Sequence, residues 1–249
     1  MLALLAVLHF RSSGLRYTDA QGARVVRYAL SDRKETAVVP RRHGRQLIVL
    51  LHGRGSNANQ FLSDELFTAL DRPGAPIIVV LDGGNHSYYH DRRDGKWGSM
   101  ILDEAIPDAR RRFHATGKVA IGGISMGGYG ALHLASLRPG EFCAVGGHSA
   151  AVWTSAGATA PGAFDDAEDY ARNDIFAVAS KLKGVPVWLD NGDRDPFLDA
   201  DAQLARTLHV TQHVWPGGHD RKYWDTHMAQ YLRFYESACR MRPKRSDAM

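Results

Sequence analysis

A doubly wound, mostly parallel α/β sheet is the fold class predicted by this sequence, and three observations predict it. Short runs rich in Val, Ile and Leu recur at residues 47–51, 77–81, 119–121, 144–145 and 185–189. Each leads into Gly, Asp or Asn and then into helix-like sequence. Strands without polar alternation are buried on both faces, as in a parallel sheet covered by helices above and below. Length completes the case: 249 residues, 44% of them hydrophobic, suit one α/β domain with a substantial core.

Residues 1–22 form an N-terminal segment ahead of that core. Within it, residues 2–8 are apolar and long enough for a minimal signal-peptide core. No basic n-region precedes them and no clear small-residue cleavage site follows. Cytoplasm and export both stay open as locations, and the run is far too short to span a bilayer. Residues 23–30 alternate like an antiparallel edge strand, and residues 211–215 supply the last strand. A single catalytic domain is therefore expected over 23–240, with a basic tail at 241–249. The Ala- and Gly-rich stretch 156–163 is the loosest internal segment, and no internal repeat is visible.

The net charge of +4 comes from scattered Lys and Arg, clustered only at Arg41 and Arg42, at Arg110, Arg111 and Arg112, and in the tail. No basic stripe with interleaved aromatics is present, so a nucleic-acid partner is not expected. The Arg110 to Arg112 cluster reads as the solvated last turn of a helix, where cations complement the dipole. Of the two cysteines, Cys143 lies in an apolar stretch that looks like a buried strand, and two free thiols are expected.

Chemistry concentrates where the predicted strands end. Gly123, Ile124, Ser125, Met126 and Gly127 sit between an apolar strand and a helix-like stretch at 129–137. A serine in so sharp a turn is held out at the carboxyl end of the sheet, and the flanking glycines let strand and helix approach. Serine is a poor nucleophile at neutral pH and needs a base. His219, in a Gly-Gly turn beyond the last strand, is the best placed of twelve histidines, and its late position fits the order Ser, Asp, His of α/β-hydrolases. His52, His86, His90 and His148 are candidates to line the site without transferring protons.

The base needs a carboxylate to hold its tautomer. Asp190, Asp193, Asp195 and Asp199 compete, and Asp195 is favoured because it lies past the strand in a turn opened by Gly192. Asp190, still in the strand end, suits structural hydrogen bonds. Ester cleavage also requires main-chain N–H donors for the oxyanion. Met126, opening a helix, and Arg54, between Gly53 and Gly55 after the first core strand, are the candidates. Only the main chain of Arg54 is needed, which leaves its side chain for solvent or for an acid group on the substrate. Tyr88, Tyr89, Trp97, Trp153 and Trp224 are candidate pocket walls.

These motifs together resemble the esterase D branch of the α/β-hydrolases, which includes S-formylglutathione hydrolases and mycobacterial mycolyltransferases. The resemblance covers roughly residues 47–235. It rests on Leu50-Leu51-His52-Gly53, on the stretch from Asp82 to Tyr89 with Lys96 and Trp97 and then Glu104 and Pro107, on the Ser125 turn extended by Gly128, on residues 190–198, and on Gly218-His219-Asp220 with Tyr223 and Trp224. It implies a serine esterase without metal or other cofactor, with Ser125, Asp195 and His219 as triad and a small-molecule ester as partner. The chain departs from formylglutathione hydrolases in having no cysteine in the turn after Gly53, and no insertion long enough for an extended lipid groove is evident.

The expected activity is carboxylic-ester hydrolysis of short to medium acyl groups through an acyl-serine intermediate. An acyltransferase using the same triad, a thioesterase of the formylglutathione hydrolase type and a non-catalytic binding protein on this scaffold are the alternatives. A metal hydrolase built on His86 and His90 lacks a third ligand in the sequence.

Overall fold

The apolar runs are strands, and their alternate residues belong to opposite faces. The computed structural model describes residues 22–240. Eight strands form one sheet: β1 (Ala23–Leu30), β2 (Arg33–Pro40), β3 (His43–Leu51), β4 (Ala75–Leu81), β5 (Val119–Ile124), β6 (Phe142–His148), β7 (Val187–Gly192) and β8 (Gln212–Trp215). Leu47, Val49, Leu51, Ile77, Val79 and Leu81 enter one apolar core. Ile48, Leu50, Ile78 and Val80, between them in the chain, enter the other. Period-two side-chain alternation thus gives the sheet two dry faces.

The spatial order is β1-β2-β4-β3-β5-β6-β7-β8. From β4 to β8 every pairing is parallel, while β2 runs antiparallel to both β1 and β4. The described residues start at an edge, enter the sheet's middle and then wind outward, so the carboxyl ends of β3, β4, β5, β6 and β7 share one rim.

Helices cover both faces. α1 (Asp64–Leu70) and α6 (Arg221–Arg240) bury their apolar sides in one core. α2 (Ile106–Arg112), α3 (Met126–Leu137), α4 (Ala167–Asn173) and α5 (Leu198–Leu208) pack in the other. Ser63 caps α1, its hydroxyl accepting from the Leu66 N–H at 3.1 Å. α6 buries Tyr223, Trp224, His227, Met228, Tyr231, Leu232 and Tyr235, the spacing of one helical stripe. Arg110, Arg111 and Arg112 occupy the last turn of α2.

The predicted α/β class holds, with three corrections. β2 was not foreseen: its charged opening, Arg33-Lys34-Glu35, hides a fully buried second half from Thr36 onward. The run at 185–189 becomes a strand only from Val187. The cysteines are not free thiols: Cys143 and Cys239 form a disulfide with Cα atoms 4.9 Å apart. Cys143 stands at the half-exposed start of β6, where α6 ends, so the apolar residues after it misrepresented its own surroundings. The apolar run 2–8 and the tail 241–249 lie outside the described residues. No helix among the described residues is long and apolar enough to cross a membrane.

The disulfide closes a loop with a sequence separation of 96 residues. Chain-entropy arguments assign such a bridge about 5 kcal/mol. Reduction, or Cys143→Ser with Cys239→Ser, is expected to lower Tm by roughly ten degrees. Thermal unfolding with and without reductant checks this, and an unchanged Tm contradicts it.

Candidate active site

Backbone geometry sets the nucleophile candidate apart first. Ser125 has φ 57° and ψ −116°, outside any regular region, at the junction of β5 and α3. The turn is possible only because two neighbours lack side chains. A Cβ at Gly123 would meet the Gly127 backbone at 2.4 Å, and one at Gly127 would meet the Leu51 carbonyl oxygen at 1.9 Å. The Ser125 N–H donates to the His148 carbonyl at 3.0 Å, and the Ser125 carbonyl accepts from Tyr129 and Ala151. Strained backbone is thereby pinned on both sides.

Ser125 Oγ lies 2.9 Å from His219 Nε2, and His219 Nδ1 lies 3.0 Å from Asp195 Oδ2. Asp195 accepts from the Phe197 N–H at 2.8 Å through its other oxygen. Burial pushes the Asp195 carboxyl up, but hydrogen bonds from His219, Ser149 and the Phe197 N–H outweigh it and hold the group below its ordinary range. Ser149, also at positive φ (50°), bonds Trp224 Nε1 through its hydroxyl at 3.0 Å. Trp224 stands edge-on to the His219 ring at a centroid distance of 5.1 Å. The sequence reading passed over Ser149, although a polar residue ending β6 obeys the same strand-end rule that found Ser125.

The competing aspartates go elsewhere. Asp193 is exposed and accepts from the Gly217 N–H at 3.0 Å, bracing the turn before His219. Asp199 lies in the first turn of α5. Asp190 is fully buried and takes four donors. Its Oδ1 receives His148 Nδ1 at 2.6 Å and Trp188 Nε1 at 2.9 Å. Its Oδ2 receives the Tyr223 and Tyr231 hydroxyls at 3.0 and 2.7 Å. Burial raises both tyrosine pKa values, which keeps these hydroxyls as donors.

The loop after β3 is fixed from beneath. The Gly53 N–H donates to Gln60 Oε1 at 2.6 Å, and the Gly55 N–H to the Asn85 carbonyl at 3.0 Å. Buried His52 accepts the Gly83 N–H on Nε2 at 3.2 Å and bonds the Gly53 carbonyl through Nδ1 at 2.9 Å. Arg54 projects from this loop, exposed. Met126 opens α3, where a first-turn N–H has no intrahelical acceptor.

The predicted wall residues divide. Tyr88 packs on Trp153, Tyr129 and Phe164, and Trp153 continues to Phe197, which lies 5.3 Å from the His219 ring. Tyr88, Trp153, Phe197 and His219 thus form one aromatic row. Phe164 and Phe197 were not foreseen, being single aromatics in polar segments. Tyr89 is not a wall: it is fully buried, its hydroxyl donating to the His52 carbonyl at 3.1 Å. Trp97 turns away from this row, filling the space over Gly84 and Gly95 with the Arg33 guanidinium 3.8 Å above its ring. Trp224 backs His219 from the core side. Arg92 ties the wall together, donating to the His86 and Gly162 carbonyls at 2.7 and 2.9 Å and pairing with Asp165 at 3.0 Å.

Of the four secondary histidines, three are closed off from any cleft. His52, His90 and His148 have no exposed surface. His90 Nε2 pairs with buried Asp169 at 3.0 Å, while His86 is half-exposed beside Asp94, so the two do not converge.

The sheet order and the strained serine at the β5–α3 junction define the α/β-hydrolase class. The chain belongs to the esterase family, whose model, described as "Putative esterase", matches residues 34–235. It is 23% identical over 219 residues to Esterase Rv1288 of Mycobacterium tuberculosis, covering 70% of this chain and 48% of that protein. The chain thus spans about half the length of the curated relatives it matches first. Among solved structures, a ferulic acid esterase superposes with TM-score 0.73 at 24% identity, covering 87% of this chain and 99% of that one. An S-formylglutathione hydrolase from Agrobacterium tumefaciens gives 0.69 at 16% identity over 88% and 97%. MPT51 of Mycobacterium tuberculosis gives 0.67 at 17% identity over 89% and 100%.

At the start of the loop after β4 lies a buried carboxyl, Glu35, whose Oε2 accepts the Asp82 N–H at 2.6 Å. Burial pushes its pKa up to about 8. The folded protein keeps this proton to about pH 8, whereas the unfolded chain releases it near 4.5. Between those values the unfolded state binds fewer protons, so this group lowers stability as pH rises. Glu35→Gln is expected to gain Tm over the wild type progressively from pH 4.5 to 8 and by a constant amount above. A difference independent of pH contradicts the assignment.

Proposed function

We propose that the protein is a serine carboxylic-ester hydrolase acting on short to medium acyl esters through an acyl-Ser125 intermediate. The observation that carries this reading is the hydrogen-bonded row from Ser125 through His219 to Asp195, closed at 2.9 and 3.0 Å. His219 Nε2 takes the Ser125 proton as Oγ attacks the ester carbonyl, then delivers it to the departing alcohol oxygen. Asp195 holds Nδ1–H, fixing the tautomer and facing the imidazolium charge. The main-chain N–H groups of Met126 and Arg54 receive the oxyanion. Water then attacks the acyl carbonyl, gives its proton to His219, and Ser125 leaves with that proton restored.

The acyl group is assigned to the row of Tyr88, Trp153 and Phe197. Acyl chains that outrun this row would leave methylenes in water. A second reading, aromatic acyl groups, is favoured by the ring faces of this same row and by the likeness to a ferulic acid esterase. An alcohol in place of water would convert the same intermediate to acyl transfer, and product analysis with both acceptors present separates the two.

Ser125→Ala is expected to lose about a thousandfold or more in kcat at unchanged Tm. Asp195→Asn should cost orders of magnitude by favouring the wrong tautomer, whereas Asp193→Asn, still able to accept the Gly217 N–H, should cost little. Across 4-nitrophenyl esters, kcat/KM should peak at roughly two to six acyl carbons, since each unburied methylene forfeits about 0.8 kcal/mol. A maximum at long chains with activation at a lipid interface would overturn the short-acyl reading, and a maximum at hydroxycinnamoyl esters would establish the aromatic one.

A further inference from the structure

Asp169 is a second buried carboxylate, 1% exposed on α4, and no step of the proposed ester cleavage uses it. Its Oδ2 accepts from His90 Nε2 and from the Asp165 N–H at 3.0 and 2.9 Å. Its Oδ1 accepts from the Asn173 amide and the Arg172 guanidinium at 3.0 and 3.3 Å. A carboxylate can only accept, so His90 carries its hydrogen on Nε2. Losing any of these donors would leave a buried charge short of a partner.

What the pair holds is Phe164. This ring belongs to residues 161–166, which form neither helix nor strand, and Gly162, Ala163, Asp165 and Asp166 around it are small or charged. Nothing in so polar a stretch turns an aromatic ring inward by itself. The Asp165 N–H bond to Asp169 fixes the backbone beside it, and the His90 ring stacks on it with centroids 5.0 Å apart and planes 26° apart. Phe164 in turn stacks on Tyr88 at 6.2 Å and stands edge-on to Trp153 at 6.1 Å. α4 reaches the same wall again, for the Tyr170 hydroxyl donates to the Trp153 carbonyl at 2.7 Å. His90 follows Tyr88 by two residues, so one hydrogen bond joins the loop carrying Tyr88 to the helix holding Trp153. Two of the three rings assigned to the acyl group share this support.

We propose that the buried His90–Asp169 pair is a positioning pair for acyl selectivity: by seating Phe164 against Tyr88 and Trp153, it fixes the spacing of the rings on which the acyl chain packs. The proposal rests on the serine esterase reading and adds what sets the pocket's preference. The pair touches no substrate, and its bonds lead to the wall and to α4 rather than to the triad.

The test compares 4-nitrophenyl acetate, whose acyl group stops short of the row, with 4-nitrophenyl butyrate, which adds two methylenes to be buried there. Wild-type kcat/KM is expected to favour butyrate by about tenfold. Asp169→Asn preserves volume but turns one acceptor oxygen into a donor that faces donors. Its butyrate-to-acetate ratio should fall to near one through a raised butyrate KM, with acetate turnover within about twofold of wild type. His90→Phe, which can stack on Phe164 but cannot donate, should do the same and carries the test if Asp169→Asn fails to fold. His90→Gln, whose amide still donates to Asp169, should keep most of the ratio. A wild-type ratio near one, a ratio that survives Asp169→Asn or His90→Phe, or an equal loss for both esters overturns the proposal. Calorimetric binding of 4-nitroacetanilide and 4-nitrobutyranilide to Ser125→Ala, with and without Asp169→Asn, reads the same selectivity without turnover. If wild-type protein cleaves neither ester while Asp169→Asn abolishes a butyryl preference in binding, the esterase reading fails and the positioning role stands.

Discussion

The buried Asp190 carboxylate is the interaction on which the site's geometry depends. A charge removed from water must be answered by donors, and four converge on it, from β6, β7 and α6. Each donor fixes an element that matters at the rim. His148 ends the strand whose carbonyl pins the Ser125 N–H. Asp190 itself precedes the turn bearing Asp195. Tyr223 follows His219 by four residues and holds the start of α6. Three groups that meet in hydrogen-bond contact are thus positioned from one buried point beneath them.

α6 makes this hub affordable to build in a sheet. Its Tyr235 hydroxyl reaches His148 Nε2 at 2.7 Å across β5 and β6, where Gly122 and Gly146 leave the space: a Cβ at either would sit 1.7 or 2.0 Å from that oxygen. At its far end the helix is tied to the start of β6 by the disulfide. Polar contacts spaced along the helix from Tyr223 to Tyr235, and covalent closure at Cys239, leave it no register in which to slide.

What the sequence made legible follows from which signals are local. Parallel strands announce themselves as apolar runs, and the turns after them carry the Gly-flanked serine, the Gly-Gly histidine and the competing aspartates in plain view. Asp195 and Asp193 differ in chain distance past the strand, which is itself a local quantity. Contacts made at long range were not legible. Glu35 of β2 is buried only because β2 pairs with β4, and Cys143 meets Cys239 only because α6 runs back over β6. Tyr88 and Tyr89 look alike in sequence, yet one faces the aromatic row and the other the core. Trp97 looked like a pocket aromatic until Gly84 and Gly95 were seen to make room for it on another side.

That divergence of Tyr88 and Tyr89 has a mechanical meaning. Both residues have positive φ, 52° and 56°, a left-handed pair that costs on the order of 1–3 kcal/mol per residue and sends successive rings in opposite directions. The upper ring touches Trp153; the lower one reaches the His52 carbonyl, one residue from Gly53 and two from Arg54. Wall and loop are therefore joined by a single stiff crank. On the mechanism proposed above, a ligand that displaces the wall would also displace the loop donors facing Ser125, so a poorly fitting acyl group would lose speed of reaction as well as binding.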